Sequence, residues 1–324
     1  MDRPTWPGRG TTDGMARAVA WIALAPWIVF LVLRLAGVGD NQWLVAVIGA
    51  TPYVAAAILL PIAIAAILRV WPAVLVGVAM AAVFAFLVLP RAFGGPTEAT
   101  PPGPPLRVLA ANMMLGTGSA EGLAAVVDEL EPDVVSVEEL TPELASELDA
   151  LGFAEEFPHR NLAPAPGSHG SGLYSRYPLS DPAREIGGRY FPFLSAEVHV
   201  PGAEPVEVSS VHTVPPTVKG WAADLDAVSS APEDGRAILL GDFNATIDHA
   251  PFRGVLDRGW NDAAATVGSG LVPTWPQDRH IFPPLYAIDH VLVGGAIGVR
   301  SFSARDVAST DHRAVFAELQ LPGD

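Results

Sequence analysis

Along the first ninety residues apolar side chains run almost unbroken, and no polar face recurs at the helical period. Three stretches stand out, at about residues 18–36, 43–68 and 71–89. Each reaches or approaches the roughly 20 residues needed to cross a ~30 Å hydrocarbon core. The one charge within them is Arg34, close enough to its end for the long side chain to snorkel to the interface. Pro26, Pro52 and Pro61 predict kinks rather than terminations, because neighbouring helices can satisfy the freed carbonyls. The apolar length is several times that of a signal-peptide core, and the missing polar face argues against a soluble bundle. The pattern therefore predicts three membrane helices over 18–90, after a cytoplasmic segment 1–17.

Residues 94–105, GGPTEATPPGPP, carry five prolines and no periodicity, which predicts a semi-rigid spacer over 91–105 that lifts a domain off the lipid. From Leu106 the pattern changes to short strand-like runs separated by amphipathic ones. Strands are expected at RVLAAN, DVVSVE, SGLYS, SAEVHV, VEVSSV, AILL, AIDHVLV and AVFAEL, with helices at 120–130, 142–151 and about 218–230. The Pro-Gly turn in SAEVHVPGAEPVEVSSV predicts an antiparallel hairpin. Many strands with few, interspersed helices make 106–324 an α/β or α+β sandwich.

Charge divides the chain in the same way. The mean hydropathy of +0.33 reflects the front half, while the formal charge of -16 comes from the back. Residues 1–95 hold six Arg and three Asp; residues 96–324 hold thirteen basic and thirty-two acidic side chains. Arg3, Arg9 and Arg17 precede the first run and Arg69 follows the second, against Arg34 and Arg91 on the other side. This bias places the amino terminus in the cytoplasm and, with three spans, the domain outside; two or four spans would reverse it. The absence of Cys excludes disulfides and thiolate metal sites, leaving carboxylate, amide and imidazole as ligands. The domain's one Lys, Lys219, and its strong acidity disfavour duplex nucleic acid, which is held mainly through cationic contacts to phosphate.

Polar residues recur at the ends of the predicted strands: Asn112, Glu139, His212, Asp242, Asn244, Asp289, Asp311 and His312. They supply what phosphoester hydrolysis needs: oxygen ligands for a hard cation, imidazoles for proton transfer and amides to orient the phosphate. Glu138 has the same chemistry as Glu139, but strand alternation sends the two to opposite faces. The same period puts Asp242 and Asn244 on one side if the segment stays extended, although Gly241-Asp242 also suits a turn after a buried strand. His159, His199 and His249 read as surface or strand residues, and His169, His280 and His290 have weaker claims than His212 and His312.

The ordered fragments PDVVSVEEL, HGSGLYSRYPL, VSSVHT, GDFNA, AIDHVLV and STDHRAV resemble the endonuclease/exonuclease/phosphatase family over nearly all of residues 106–321. The resemblance implies a two-sheet sandwich with its site at one edge and a divalent ion, Mg²⁺ or else Mn²⁺ or Ca²⁺. It implies that Glu139 binds metal, that Asn112, ending the first strand, joins it at the metal, and that Asp311 completes or supports that site. It gives Asp242 and Asn244 to the nucleophile and the phosphate, His312 to proton transfer with Asp289 orienting it, and His212 as a second imidazole. Where the family usually shows Gln-Glu, this chain has Glu138-Glu139. The spans ahead of the domain are similar to those of actinobacterial membrane proteins of this family associated with glycopeptide resistance. That architecture implies a lipid bilayer and a lipid-linked envelope phosphoester as partners. The alternatives are a nuclease, a phosphoinositide or nucleotide phosphatase, and a binding protein without catalysis.

Overall fold

The computed structural model describes residues 9–38, 42–181, 191, 193–228, 232, 234–277 and 283–323. Arg3, His280 and the end of the helix expected to run to residue 230 lie outside them.

The apolar half forms α1 (Arg9–Leu35), α2 (Gln42–Gly49), α3 (Thr51–Ala57), α4 (Leu59–Ile67) and α5 (Trp71–Val88). Two helical stretches, Asp13–Leu35 and Trp71–Ala92, are long and apolar enough to cross a membrane. The stretch expected as one span over 43–68 is instead broken by 63° between Gly49 and Thr51. Pro52, at the start of α3, has no N–H for a helix continuing from α2, and Pro61 has the same effect at the α3–α4 junction. The long-range cause is Val45, which is buried in a core cluster of the folded domain with Val214, Trp221 and Phe252. The α4–α5 contact is close enough that a Cβ on Gly77 would lie 2.6 Å from Ile62.

Among the described residues twelve strands follow: β1 (Pro102–Asn112), β2 (Val134–Glu138), β3 (His159–Ala163), β4 (Ser171–Ser175), β5 (Leu179–Ser180), β6 (Leu194–Val198), β7 (Val206–His212), β8 (Ala237–Asp242), β9 (Trp260–Asp262), β10 (Asp289–Gly294), β11 (Gly298–Asp306) and β12 (Arg313–Pro322). They form two mixed sheets, ordered β11-β12-β1-β2-β4-β3 and β5-β6-β7-β8-β10-β9. Alternation decides the layers. Leu106, Val108 and Ala110 of β1 join Val208, Ile238 and Val291 between the sheets. Leu109 and Ala111 face out beneath α6 (Ala120–Leu130) and α7 (Pro142–Ala150). The expected β6–β7 hairpin is present, and the helix expected over 218–230 begins at Trp221, after Gly220 in a left-handed conformation.

Residues 91–105 are not a free spacer. Gly95 N donates to Thr266 O, Thr97 N donates to Val299 O, Ala99 is buried and β1 already begins at Pro102. Arg34 does not snorkel either. Its Nε and Nη2 both donate to Asp248 Oδ1 at 3.1 Å, while Arg91 Nη1 and Nη2 donate to the two Asp248 oxygens at 2.7 and 2.6 Å. All three side chains are buried.

His249, expected on the surface or in a strand, is buried beside this cluster. Its Nδ1 accepts from Thr246 N at 2.9 Å, so Nε2 carries the proton and donates to Val45 O at 2.9 Å. Only neutral imidazole fits, because a second proton would face the Thr246 N–H. Burial lowers its pKa from 6.5 to about 4. A depressed folded-state value contributes stability that is present above pH 6.5 and lost as pH falls towards 4. The thermal midpoint of the full chain in detergent should therefore fall over that interval by more than that of His249→Gln, a difference on the order of 3 kcal/mol. Parallel acid profiles for the two proteins would refute the assignment.

Candidate active site

The topology brings the predicted polar residues to one edge. β1 and β2 run parallel, as do β7 and β8, so Asn112, Glu138, His212 and Asp242 all stand at carboxyl ends of strands. The antiparallel β10 and β12 begin at that edge, bringing Asp289 opposite Asp242 and His312 just ahead of β12. His212 is in register with Asp242, and Asn112 with Glu138.

At the centre, Asp242 Oδ2 accepts from Asn112 Nδ2 at 3.0 Å and from Asn244 Nδ2 at 3.1 Å. The same oxygen lies 3.8 Å from both His212 Nε2 and His312 Nε2. Glu139 Oε1 is 3.6 Å from His212 Nε2 and 3.4 Å from Asn112 Nδ2, while its other oxygen accepts from Leu115 N. Asp289 receives His312 Nδ1 at 3.0 and 3.1 Å, which directs His312 Nε2 towards Asp242. Asp311 lies near the same ring nitrogen, with Oδ1 3.8 Å from His312 Nε2 and Oδ2 accepting from Trp275 Nε1 at 3.1 Å. All eight candidates therefore converge.

Two local expectations are corrected. Asn244 does not extend β8: its φ is +49°, and its N donates to Asp242 Oδ1 at 2.7 Å, so a tight turn rather than strand alternation joins the two side chains. Glu139 likewise lies past the end of β2 at φ +58° and reaches the mouth through that bend. Glu138 has the facing of Ser136 and is buried between the sheets, where Ser136 and Ser210 donate to its Oε1. Gly241 explains the first letter of GDFN: φ is +136°, and a Cβ there would lie 2.1 Å from Val211 O and 2.8 Å from Glu138 Oε1.

Electrostatics separates the titratable groups. Burial raises Glu138 to about 8 against the pull of Ser136, so it is mostly uncharged at neutral pH, a carboxylic acid where Gln would be isosteric. Burial lowers His212 to about 3, helped by the neighbouring His312. Burial would lower His312 too, but Asp289 and Asp242 outweigh it and raise the group to about 10. Burial raises Asp242 and crowding by Asp289 and Glu139 adds to it, while His312 opposes the rise. One imidazole is thus held neutral and the other cationic on either side of one carboxylate.

The donor set fits a hard divalent cation. Glu139, Asp242 and Asp289 bring carboxylates together with too little positive charge to balance them, and the ligand atoms of Asp242, Asp289 and His312 lie within 4.8 Å of one another. Asn112, expected at the metal, is not oriented as a ligand: its Oδ1 accepts from Met114 N and its amide nitrogen, a donor, faces the carboxylates.

Some contributors carried no signal in the sequence. Thr310 Oγ1 donates to Asn112 O at 2.7 Å and accepts from His312 N at 3.2 Å, tying two site strands together. Phe191 stacks on His212 with ring centroids 4.8 Å apart, and His169 meets the edge of Phe191. His290 is structural: its nitrogens are taken by Asp262 and Ala245 O at 2.7 and 2.8 Å.

A family model, the Endonuclease/Exonuclease/phosphatase family, matches residues 109–312. The chain belongs to that family, whose members are hydrolases acting on phosphoesters. Among solved structures it is similar to an endonuclease/exonuclease/phosphatase from Beutenbergia cavernae DSM 12333, at 22% identity and TM-score 0.55, covering 68% of this chain and 72% of that one. It is also similar to D. rerio TDP2 complexed with a single-strand DNA product, at 16% identity and TM-score 0.53, covering 66% and 98%. The 3′ phosphatase NExo from Neisseria bound to a product DNA hairpin gives 19% identity and TM-score 0.51, covering 65% and 98%. These likenesses establish the two-sheet sandwich. A search of curated proteins returns no significant match.

Proposed function

We propose that this chain is a membrane-anchored, divalent-metal-dependent phosphoesterase whose substrate is a lipid-linked phosphoester of the cell envelope. The observation that carries the catalytic part is the convergence of Glu139, Asp242 and Asp289 with His212 and His312 at a single sheet edge. Glu139 would hold the cation, with Asp242 and Asp311 around it and Asn112 holding Asp242 through its amide nitrogen; when bound, a divalent ion stabilises charge developing on the phosphoryl oxygens. Asp242, fixed by Asn112 and Asn244, orients the attacking water and takes up its proton. His312, whose Nδ1–H is held by Asp289, presents an Nε2–H to the phosphoryl group. His212, neutral behind Glu139, is placed to accept a hydrogen bond from the other side.

Support for the membrane setting comes from the helices. Arg34 at the end of α1 and Arg91 just after α5 share Asp248, so both helices end on the domain side. The chain must return between them, which α3 and α4 do, and this gives three crossings with α2 lying on the domain side. With the Arg bias, that count supports an amino terminus in the cytoplasm and a domain outside. An alkaline-phosphatase fusion after Asp324 should then be active and a fluorescent-protein fusion dark; the reverse pair would overturn the orientation.

The catalytic test is turnover by the purified full chain against phosphomonoesters, phosphodiesters, lipid phosphates and DNA, with Mg²⁺, Mn²⁺ or Ca²⁺. Hydrolysis should require the ion, stop with chelator and favour lipid phosphates. A folded protein that binds metal without hydrolysing any of them would be a binding protein, and preference for DNA would make it a nuclease.

A further inference from the structure

Beside the active site lies a cavity of about 300 Å³ that the catalytic scheme leaves unused. It is lined by Val45 and Ala46 of α2, in the apolar half, by Pro216 and Thr217 on the loop after β7, and by Asn244 and Ile288, neighbours in the chain of Asp242 and Asp289. Trp275 and Tyr286 add a tilted aromatic pair with ring centroids 6.0 Å apart. The cavity therefore joins a membrane-associated helix directly to a residue that holds Asp242.

Its lining is mostly hydrocarbon and aromatic, and among the described residues no Lys or Arg faces it. Thr246 and His249 do face it, but Thr246 N already donates to His249 Nδ1 and His249 Nε2 already donates to Val45 O. Nothing in the lining asks for a phosphate or a peptide. The cavity is also fixed in shape: Val45 is anchored in the domain core, Tyr53 Oη donates to Leu285 O at 3.0 Å, and a Cβ on Gly49 would lie 3.1 Å from the Tyr286 ring. The 63° break ahead of Thr51 separates α2 from α3, and α2 carries Val45 into the domain core beside the cavity.

We infer that this cavity receives the first part of the hydrocarbon chain of a lipid phosphoester, entering from the bilayer beside α2, while the phosphate lies beyond Asn244. The inference rests on the phosphoesterase reading above. The cavity makes Val45, Ala46 and Thr217 determinants of chain specificity, separate from the groups that act on the phosphate. A bent apolar segment then does more than anchor the domain, because it forms half of the substrate site.

The test uses the full chain in phosphatidylcholine nanodiscs with Mg²⁺ and two chromogenic diesters, butyl and dodecyl p-nitrophenyl phosphate. Partition into the bilayer favours the dodecyl ester equally for every variant, so the informative quantity is the dodecyl-to-butyl ratio of kcat/KM in a variant against that in the parent protein. Ala46→Trp fills the cavity from the membrane side and Thr217→Trp from the domain side. Each should lower the ratio by about tenfold or more, the size of effect expected for apolar chain selection in a pocket. Thr217 is exposed, so the second variant serves should the first fail to fold. If both esters are hydrolysed and neither substitution moves the ratio, the cavity does not hold the chain while the phosphoesterase reading stands. If the parent protein hydrolyses neither, both fall.

Discussion

Asp242→Asn and His312→Ala should each lower kcat by roughly 10²-fold or more while leaving the protein folded. Asp242 is the point on which the site converges: two amide nitrogens reach its Oδ2 at 3.0 and 3.1 Å, and two imidazoles stand 3.8 Å away. The Asn variant keeps the shape and loses the charge and the basicity, so a large loss of turnover isolates those two properties. His312→Ala removes the imidazole that Asp289 orients, and Asp289→Asn should produce a smaller loss with an altered pH profile, because the imidazole remains but its charge is no longer supported. The neighbouring glutamates separate the metal from the scaffold. Glu139→Gln should raise the Mg²⁺ concentration needed for half-maximal activity, whereas Glu138→Gln should do little. Glu138 is already mostly uncharged at neutral pH and lies between the sheets on Ser136 and Ser210. Equal losses at both positions would show that Glu138 reaches the metal. Wild-type turnover in Asp242→Asn would remove the phosphoesterase scheme altogether.

The parts of this fold that were legible in the sequence are those fixed by short-range rules. Alternation in RVLAAN and DVVSVE correctly assigned the strands, because each of them has one face between the sheets and the other beneath a helix. The same rule failed one residue past the end of β2 and two past the end of β8. Glu139 and Asn244 both adopt positive φ, and it is the bend, not the pleat, that brings them to the cluster. Long-range partners left no trace at all. Asp248 meets Arg34 across 214 positions and Arg91 across 157, and no local pattern distinguishes it from a turn residue after GDFNA. Pro52 announced a kink, but not that Val45 would be drawn into the core of a domain whose strands lie far along the chain. The same cause makes residues 91–105 a strap across the domain instead of a spacer, since Arg91 has a buried partner to reach.

Asp248→Asn should be the most destabilising single substitution at the contact between the two halves. The carboxylate lies between two guanidinium groups, all of them buried, and accepts four hydrogen bonds from them. Its removal leaves two cations out of water without a counter-charge, a situation that costs about 3–5 kcal/mol for a broken buried pair. The thermal midpoint of the full chain in detergent should fall accordingly, and protease sensitivity should appear in residues 91–105 as the strap comes free. Loss of packing alone would give a similar fall, so the charge origin needs a second variant. Arg34→Met, Arg91→Met and Asp248→Leu combined replace the ionic cluster by apolar groups of comparable size and should recover most of the lost stability, because the desolvation cost disappears together with the attraction. A combined variant no more stable than Asp248→Asn would mean that the cluster holds the halves through shape and hydrogen-bond geometry. A single variant with an unchanged midpoint would mean that the contact contributes nothing to the folded state. Activity on the long-chain ester gives the final link, since α2 follows Arg34 in the chain and meets the domain at Val45 and His249, beside the same contact. If the ions hold the helical half against the domain, Asp248→Asn should lose chain-length preference before it loses hydrolysis of the short-chain ester, and the combined variant should regain both.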